Sequence, residues 1–334
     1  MLQFARFVAT RAIMALFTLI LVSLIVFSLM ELVPGDCAER YLAFKNTQGS
    51  GISVEDIEVE RQRLGLDKPF LQRWGNWIVG AFQGDFGDSC ILRVNIAQLL
   101  GDKFLLSLAI CLSALALAYL IAIPVGIFAA ASNNAFVNNM LRLLSYLGLA
   151  MPNFLLALMI MLASTVWFGE TLTGLFSAEY RDAPWSWGKF LDLLSHAWLP
   201  IFILGWSATA FALQTVRALM SDEIGKLYVT AAAARGVHGR KLLWNYPARH
   251  ALGPIVNSLG FDLNRIFNEL PIVALILILT DAGALLIEAL ARSNDQQLAG
   301  AIIFLLTASI VALNFATDVL LAVVDPRVRK SIVR

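Results

Sequence analysis

Four ionisable side chains stand inside stretches that are otherwise apolar: Asp262, Arg265, Glu269 and Asp318. The first three are spaced i, i+3 and i+7, so on a helix they share one face and can pair with each other. At membrane depth such charges are costly and face a cavity or another helix rather than lipid. Two readings stay open. In one, the three line a substrate path, the carboxylates meeting the ammonium of a peptide or amine and Arg265 a carboxylate. In the other, they hold an interface with a partner membrane chain. Asp318 is read as structural. The same four groups would suit a proton or ion relay in a self-sufficient secondary transporter or channel, the alternative function. Inverted repeats would favour that alternative, and none is visible.

Other chemistry is weakly signalled. His196, His238 and His250 read as helix-end or loop residues rather than metal ligands, and no His, Cys and carboxylate group has ligand spacing. No catalytic or cofactor site is indicated. Gly188-Lys189 and Gly225-Lys226 lack the earlier glycine and following hydroxyl of a phosphate-binding loop, so the chain does not split ATP by that route. Cys37 and Cys90 both fall before residue 104 and can pair in an oxidising compartment, whereas Cys111 has no CxxC companion.

The elements that must position these residues are membrane helices. The 334 residues are 59% hydrophobic and 15% charged, with a mean hydropathy of +0.73, which excludes a soluble enzyme or a disordered chain. The net charge of +1 offers no basic excess for nucleic acid. Apolar runs at 12–30, 104–131, 143–168, 198–216, 254–280 and 299–324 predict an all-α fold with six spans. The first run is too long for a cleaved signal. Thirteen Lys and Arg fall in the short segments of one side and three in those of the other, so both termini are expected in the cytoplasm. The organisation follows: 1–30 as N-terminus and first span, 31–103 as a long outer loop, and 104–330 as a five-helix core with a cytoplasmic loop at 217–253.

In the outer loop, Ser53 and Asp56 suggest a capping box for a helix at 54–64 that Gly65 ends. Phe70, Trp74, Trp77, Ile78 and Phe82 predict a second helix, its tryptophans suited to a headgroup interface. This part is read as an interfacial strut in preference to a substrate contact. In the cytoplasmic loop, Tyr228 to Arg235 is a strong helix former closed by Gly236. Its consecutive alanines leave a nearly bare backbone that a partner can approach closely, with Arg235, Arg240 and Lys241 beside it. A helix that merely links two spans is the plainer reading.

At this loop the sequence resembles the transmembrane permease subunits of ATP-binding-cassette importers, the dipeptide and oligopeptide permease family. "LYVTAAAARGV" (227–237) is similar to that family's coupling segment, and "LVPGD" (32–36), "LGLDKPFLQRW" (64–74), "GDFGDS" (84–89), "MPNF" (151–154), "HAWLP" (196–200) and "DPRVRK" (325–330) follow its patterns in order. The resemblance implies an inner-membrane subunit for peptides or related small solutes. Its implied partners are a second homologous permease, two cytoplasmic ATPases and an extracytoplasmic binding protein, with ATP hydrolysed by the ATPases. It further implies a coupling helix at 227–236 that docks on an ATPase through Tyr228, Ala231, Ala232, Ala234, Arg235 and Gly236. Many importers carry an acidic residue where this chain has Thr230 and Ala231, and peptide-type members commonly lack it. Many relatives also have a Pro-Gly-Leu-Gly turn where this chain reads "LTDAGALLIEAL" (279–290), so substrate preference does not transfer with the resemblance.

Overall fold

The computed structural model describes residues 2–47, 54–169 and 171–324. Ser53 and the terminal 325–330 motif therefore lie outside the described residues. In chain order the helices are α1 (Leu2–Leu32), α2 (Cys37–Thr47), α3 (Val54–Arg63), α4 (Phe70–Phe82), α5 (Ile96–Leu100), α6 (Lys103–Ala131), α7 (Ala135–Ala150), α8 (Asn153–Phe168) and α9 (Trp187–Ile224). They continue with α10 (Leu227–Ala234), α11 (Gly239–Asn245), α12 (Pro247–Ile276), α13 (Ala282–Ile287) and α14 (Gln296–Val324), with a π-helical turn at Glu288–Arg292.

The fold is all-helical. Among the described residues four helices, α1, α6, α9 and α14, are long and apolar enough to cross a membrane. The expected third span is not one straight rod but the pair α7 and α8, bent by 96°. Pro152 explains the break, since it lacks an N–H and disfavours helical backbone at the residue before it. Met151 is accordingly extended, at φ −94° and ψ 115°. At 38 residues, α9 is about 57 Å long, more than the about 45 Å of a whole bilayer, so the 198–216 run is only its middle. Four charges, Arg249, Asp262, Arg265 and Glu269, together with three asparagines, keep α12 out of the apolar set despite its 30 residues.

Among the described residues two compact units emerge: those of 2–11, 108–279 and 312–324 form one, and those of 12–107 and 280–311 the other. In the first, α9 is the central rod, packed against α7, α8 and α12. Close approach depends on small residues: a Cβ on Gly148 would sit 2.6 Å from the Cβ of Ala210. Arg11 and Asp318 form an ion pair at 3.1 Å, which gives Asp318 a structural partner.

In the second unit, Cys37 and Cys90 are joined in a disulfide. The tryptophans of α4, expected at a headgroup interface, are instead turned onto protein. Trp77 is buried between Phe27 and Phe304, and Trp74 Nε1 donates to Ser23 Oγ at 3.2 Å. The apolar face of α4 finds its cover on α1, where Arg73 also pairs with Glu31 at 2.6 Å. Buried Asp295 accepts from the hydroxyl of Ser89, from Cys90 N at 3.2 Å and from Leu298 N at 3.1 Å, and so caps α14 while anchoring the disulfide-bearing loop. Residues of the "LVPGD", "LGLDKP" and "GDFGDS" segments, far apart in sequence, meet around one cleft of about 490 Å³. In the segment that departs from the Pro-Gly-Leu-Gly pattern, Asp281 caps α13. It accepts from Ala284 N at 2.9 Å and from Ser107 Oγ at 3.0 Å.

Candidate functional site

Alanine repetition builds α10, and Gly236 ends it because φ of +88° is open to glycine and strained for other residues. The helix has two faces. Val229 and Ala232 are buried against the rest of the chain, while Leu227, Thr230, Ala231 and Ala234 are exposed and lead to exposed Arg235 and Gly236. Four of the six residues singled out from sequence, Ala231, Ala234, Arg235 and Gly236, thus share an open surface, and Ala232 faces inward.

Tyr228 belongs to the chain's own packing. Its hydroxyl donates to Glu223 Oε2 at 2.6 Å, and its ring lies 4.9 Å from that of His250. Burial, then the Glu223 carboxylate, pushes the phenol above its ordinary range, so it stays protonated and able to donate. Sequence reasoning missed Leu227, which is 87% exposed. Its apolar character at the head of an otherwise bare helix was the available signal, since an isolated leucine facing water has nothing to cover it. Beyond Gly236, α11 carries Arg240, Lys241 and Trp244 on its exposed surface.

The second cluster is on α12. The i, i+3, i+7 spacing suggested mutual pairing, but the three charges turn mainly to other helices. Asp262 is buried and accepts from the hydroxyl of Tyr119, which also bonds Ser258 Oγ at 2.7 Å. Arg265 reaches Asp262 only at 3.9 Å. It donates to the carbonyl of Ser207 at 3.0 Å and lies over the Phe211 ring at 4.7 Å. Glu269 sits beside Asn153 and Ser207, and its Oε2 is buried without a hydrogen-bond donor. The cluster ties α6, α8, α9 and α12 together through polar contacts within one chain.

Among the described residues no group of three or more His, Cys, Asp or Glu is placed to hold a metal ion. His196 bonds its own helix through the carbonyl of Asp192 at 2.8 Å.

Residues 122–330 match the family described as binding-protein-dependent transport system inner membrane component, and residues 4–104 match its N-terminal companion. Among relatives, a Brucella abortus (strain 2308) permease protein, named provisionally for a peptide transport system, is 28% identical over 96% of this chain and 97% of its own length. The glutathione transport system permease protein of Escherichia coli (strain K12) is 27% identical over 93% of this chain and 95% of its own. A chain of the MetNI methionine ABC transporter, solved in inward-facing conformations, superposes with a TM-score of 0.53 at 16% identity, covering 68% of this chain and 97% of that one. The fold is that of an ABC permease. This chain belongs to the binding-protein-dependent transport system inner membrane component family: it is a multi-pass inner-membrane permease subunit of an ABC importer, in which ATP hydrolysis resides on a partner subunit.

Proposed function

We propose that the chain is one of two homologous six-span permeases that together enclose a path for peptides or related small solutes. In this reading an extracytoplasmic binding protein delivers the solute and two cytoplasmic ATPases drive the cycle. Both termini and the loop at 217–253 face the cytoplasm, and 31–103 faces outward. The peptide class is suggested by the relatives, which are named for peptide and glutathione transport.

One observation carries the coupling role of α10. The helix is fastened to its own chain by Val229 and Ala232, while Leu227, Ala231 and Ala234 present a nearly side-chain-free face edged by Arg235. Such a face lets a groove close on the backbone and on Leu227 as an anchor. Gly236 and Arg235 extend this contact, Ala232 acts as the fastener, and Tyr228 keys the helix to Glu223. ATPase closure then displaces α10 as a rigid body, and the displacement passes through α11 to α12 and so to α9, each packed on the next. Asp262, Arg265 and Glu269 sit at the end of that train, where the α6, α8, α9 and α12 contacts that they make must shift if the path opens and closes.

Gentle detergent extraction of the tagged chain, followed by mass spectrometry of its stoichiometric companions, tests this reading. Recovery of an ATPase and a second permease is expected, and Ala234→Glu is expected to lose the ATPase while the chain stays in the membrane. A chain that is recovered alone, or one that keeps its ATPase with Glu at 234, overturns it.

A further inference from the structure

The exposed faces of the apolar spans carry hydrocarbon side chains, such as Ile13, Phe17, Leu21 and Ile25 on α1 and Leu112, Leu120 and Phe128 on α6. The exposed face of α12 differs. Its exposed positions include Asn257, Phe261, Asn264 and Asn268, at steps of four, three and four residues, which is one face of a helix. Phe261 is 78% exposed. None of the three asparagine side chains makes a hydrogen bond to another described residue, so three amide NH2 groups and three amide carbonyl oxygens are left unused. The charges beside them turn mainly to other helices, Asp262 to Tyr119, Arg265 (its side chain 31% exposed) to Ser207 and Phe211, and Glu269 to Asn153 and Ser207. The stripe of side chains itself is therefore polar and uncharged.

Hydrocarbon gives an amide no partner, so such a stripe is stable only against water, a polar solute or another protein. From Asn257 to Asn268 it runs about 16 Å, more than the about 10 Å of an extended tripeptide. A carboxamide offers one acceptor and two donors on a flat group, which complements the N–H and C=O of a peptide main chain whatever its side chains.

We infer that the Asn257, Asn264 and Asn268 face of α12 lines the aqueous path and binds the main-chain amides of a passing peptide, so that passage does not depend on side-chain charge. This rests on the permease reading above. Apolar Phe261, between two of the amides, covers side-chain or Cα surface without adding charge.

The complete transporter, with partner permease, ATPases and binding protein, is the material for the test. Cysteines are placed singly by Asn257→Cys, Asn264→Cys and Asn268→Cys, with Phe17→Cys and Leu120→Cys as apolar-face controls. They are probed in membranes with a small cationic methanethiosulfonate reagent, which needs water around the thiol. This chain adds little background of its own, since Cys37 and Cys90 are joined and Cys111 is buried, and labelling is read on this chain after it is separated from its partners. The three stripe positions should label and the two controls should not. Unlabelled stripe positions in a complex that still retains its ATPase would place this face against the partner permease or lipid and overturn the inference alone, whereas loss of the ATPase from the unaltered complex would overturn the permease reading. The ligand class is read from uptake of trialanine, trilysine and triglutamate. Asn264→Leu with Asn268→Leu should lower all three by a similar factor, about three- to tenfold for one or two lost hydrogen bonds. A loss confined to one charge type refutes main-chain recognition, and uptake of none of the three by the unaltered complex removes the peptide assignment itself.

Discussion

Leu227→Ala separates a docking anchor from a structural residue. Leu227 is 87% exposed, so truncating it removes almost no contact within the chain, and the thermal stability of the isolated permease should not change. If an ATPase groove covers that exposed surface, the interface loses most of the about 1.5–3 kcal/mol associated with burying a leucine. Scaled by the exposed fraction, the loss is about 1.3–2.6 kcal/mol, or about 9- to 80-fold in the dissociation constant. The assay is titration of purified ATPase onto the permease pair held in nanodiscs, with wild type, Leu227→Ala and Leu227→Met side by side. Met is near in volume and flexible, so it should retain most of the affinity. ATPase binding within twofold of wild type by Leu227→Ala would refute the reasoning, as would a drop in the melting temperature of the permease without its ATPase.

Four further outcomes follow from the packing. Gly148→Ala places a methyl 2.6 Å from the Ala210 Cβ, a contact no rotamer relieves, and should cost about 1–3 kcal/mol, visible as a lower melting temperature in detergent. Asp295→Ala strips the acceptor from Ser89, Cys90 N and Leu298 N; at about 1–3 kcal/mol per buried donor left unpaired, differential scanning fluorimetry should show a marked loss. Reducing Cys37–Cys90, which closes a sequence separation of 53 residues, should destabilise the fold by about 4 kcal/mol on the chain-entropy estimate, checked by melting with and without reductant. Tyr119→Phe leaves the buried Asp262 carboxylate without its hydroxyl donor; a cost of about 1–3 kcal/mol is expected, and an unchanged denaturation profile would show that the contact is not made in the membrane.

Much was legible in the order of residues because membrane helices announce themselves locally. A run of uncharged residues long enough to cross hydrocarbon needs no knowledge of its neighbours, since its backbone satisfies itself. The same holds for α10, whose alanines and terminal Gly236 specify a short helix at the position expected. The α2 helix was overlooked although its start is marked, with Asp36 Oδ1 accepting from Glu39 N at 2.9 Å. Its mean composition is polar, and of its described side chains only Ala38 and Leu42 are buried, so it rests largely on the Cys37 crosslink and its packing on α3. The 96° turn between α7 and α8 was signalled by Pro152, but hydropathy averages across a proline and so merged the pair.

What the sequence by itself determined is therefore composition-level and local: a helical membrane chain, a bare alanine helix in a basic loop, charges in α12 on one face, and motifs of the permease family. What only tertiary structure decided is which side of each helix is free. Periodicity groups Asp262, Arg265 and Glu269, but their partners come from Tyr119, Ser207 and Phe211 on other helices, and no spacing rule reaches across such sequence distances. It likewise groups the α10 alanines without saying that Ala232 is the fastener and Leu227 the open edge. Side-chain direction relative to a neighbouring helix depends on where that helix lies, and that is a property of the packed chain rather than of any segment in it.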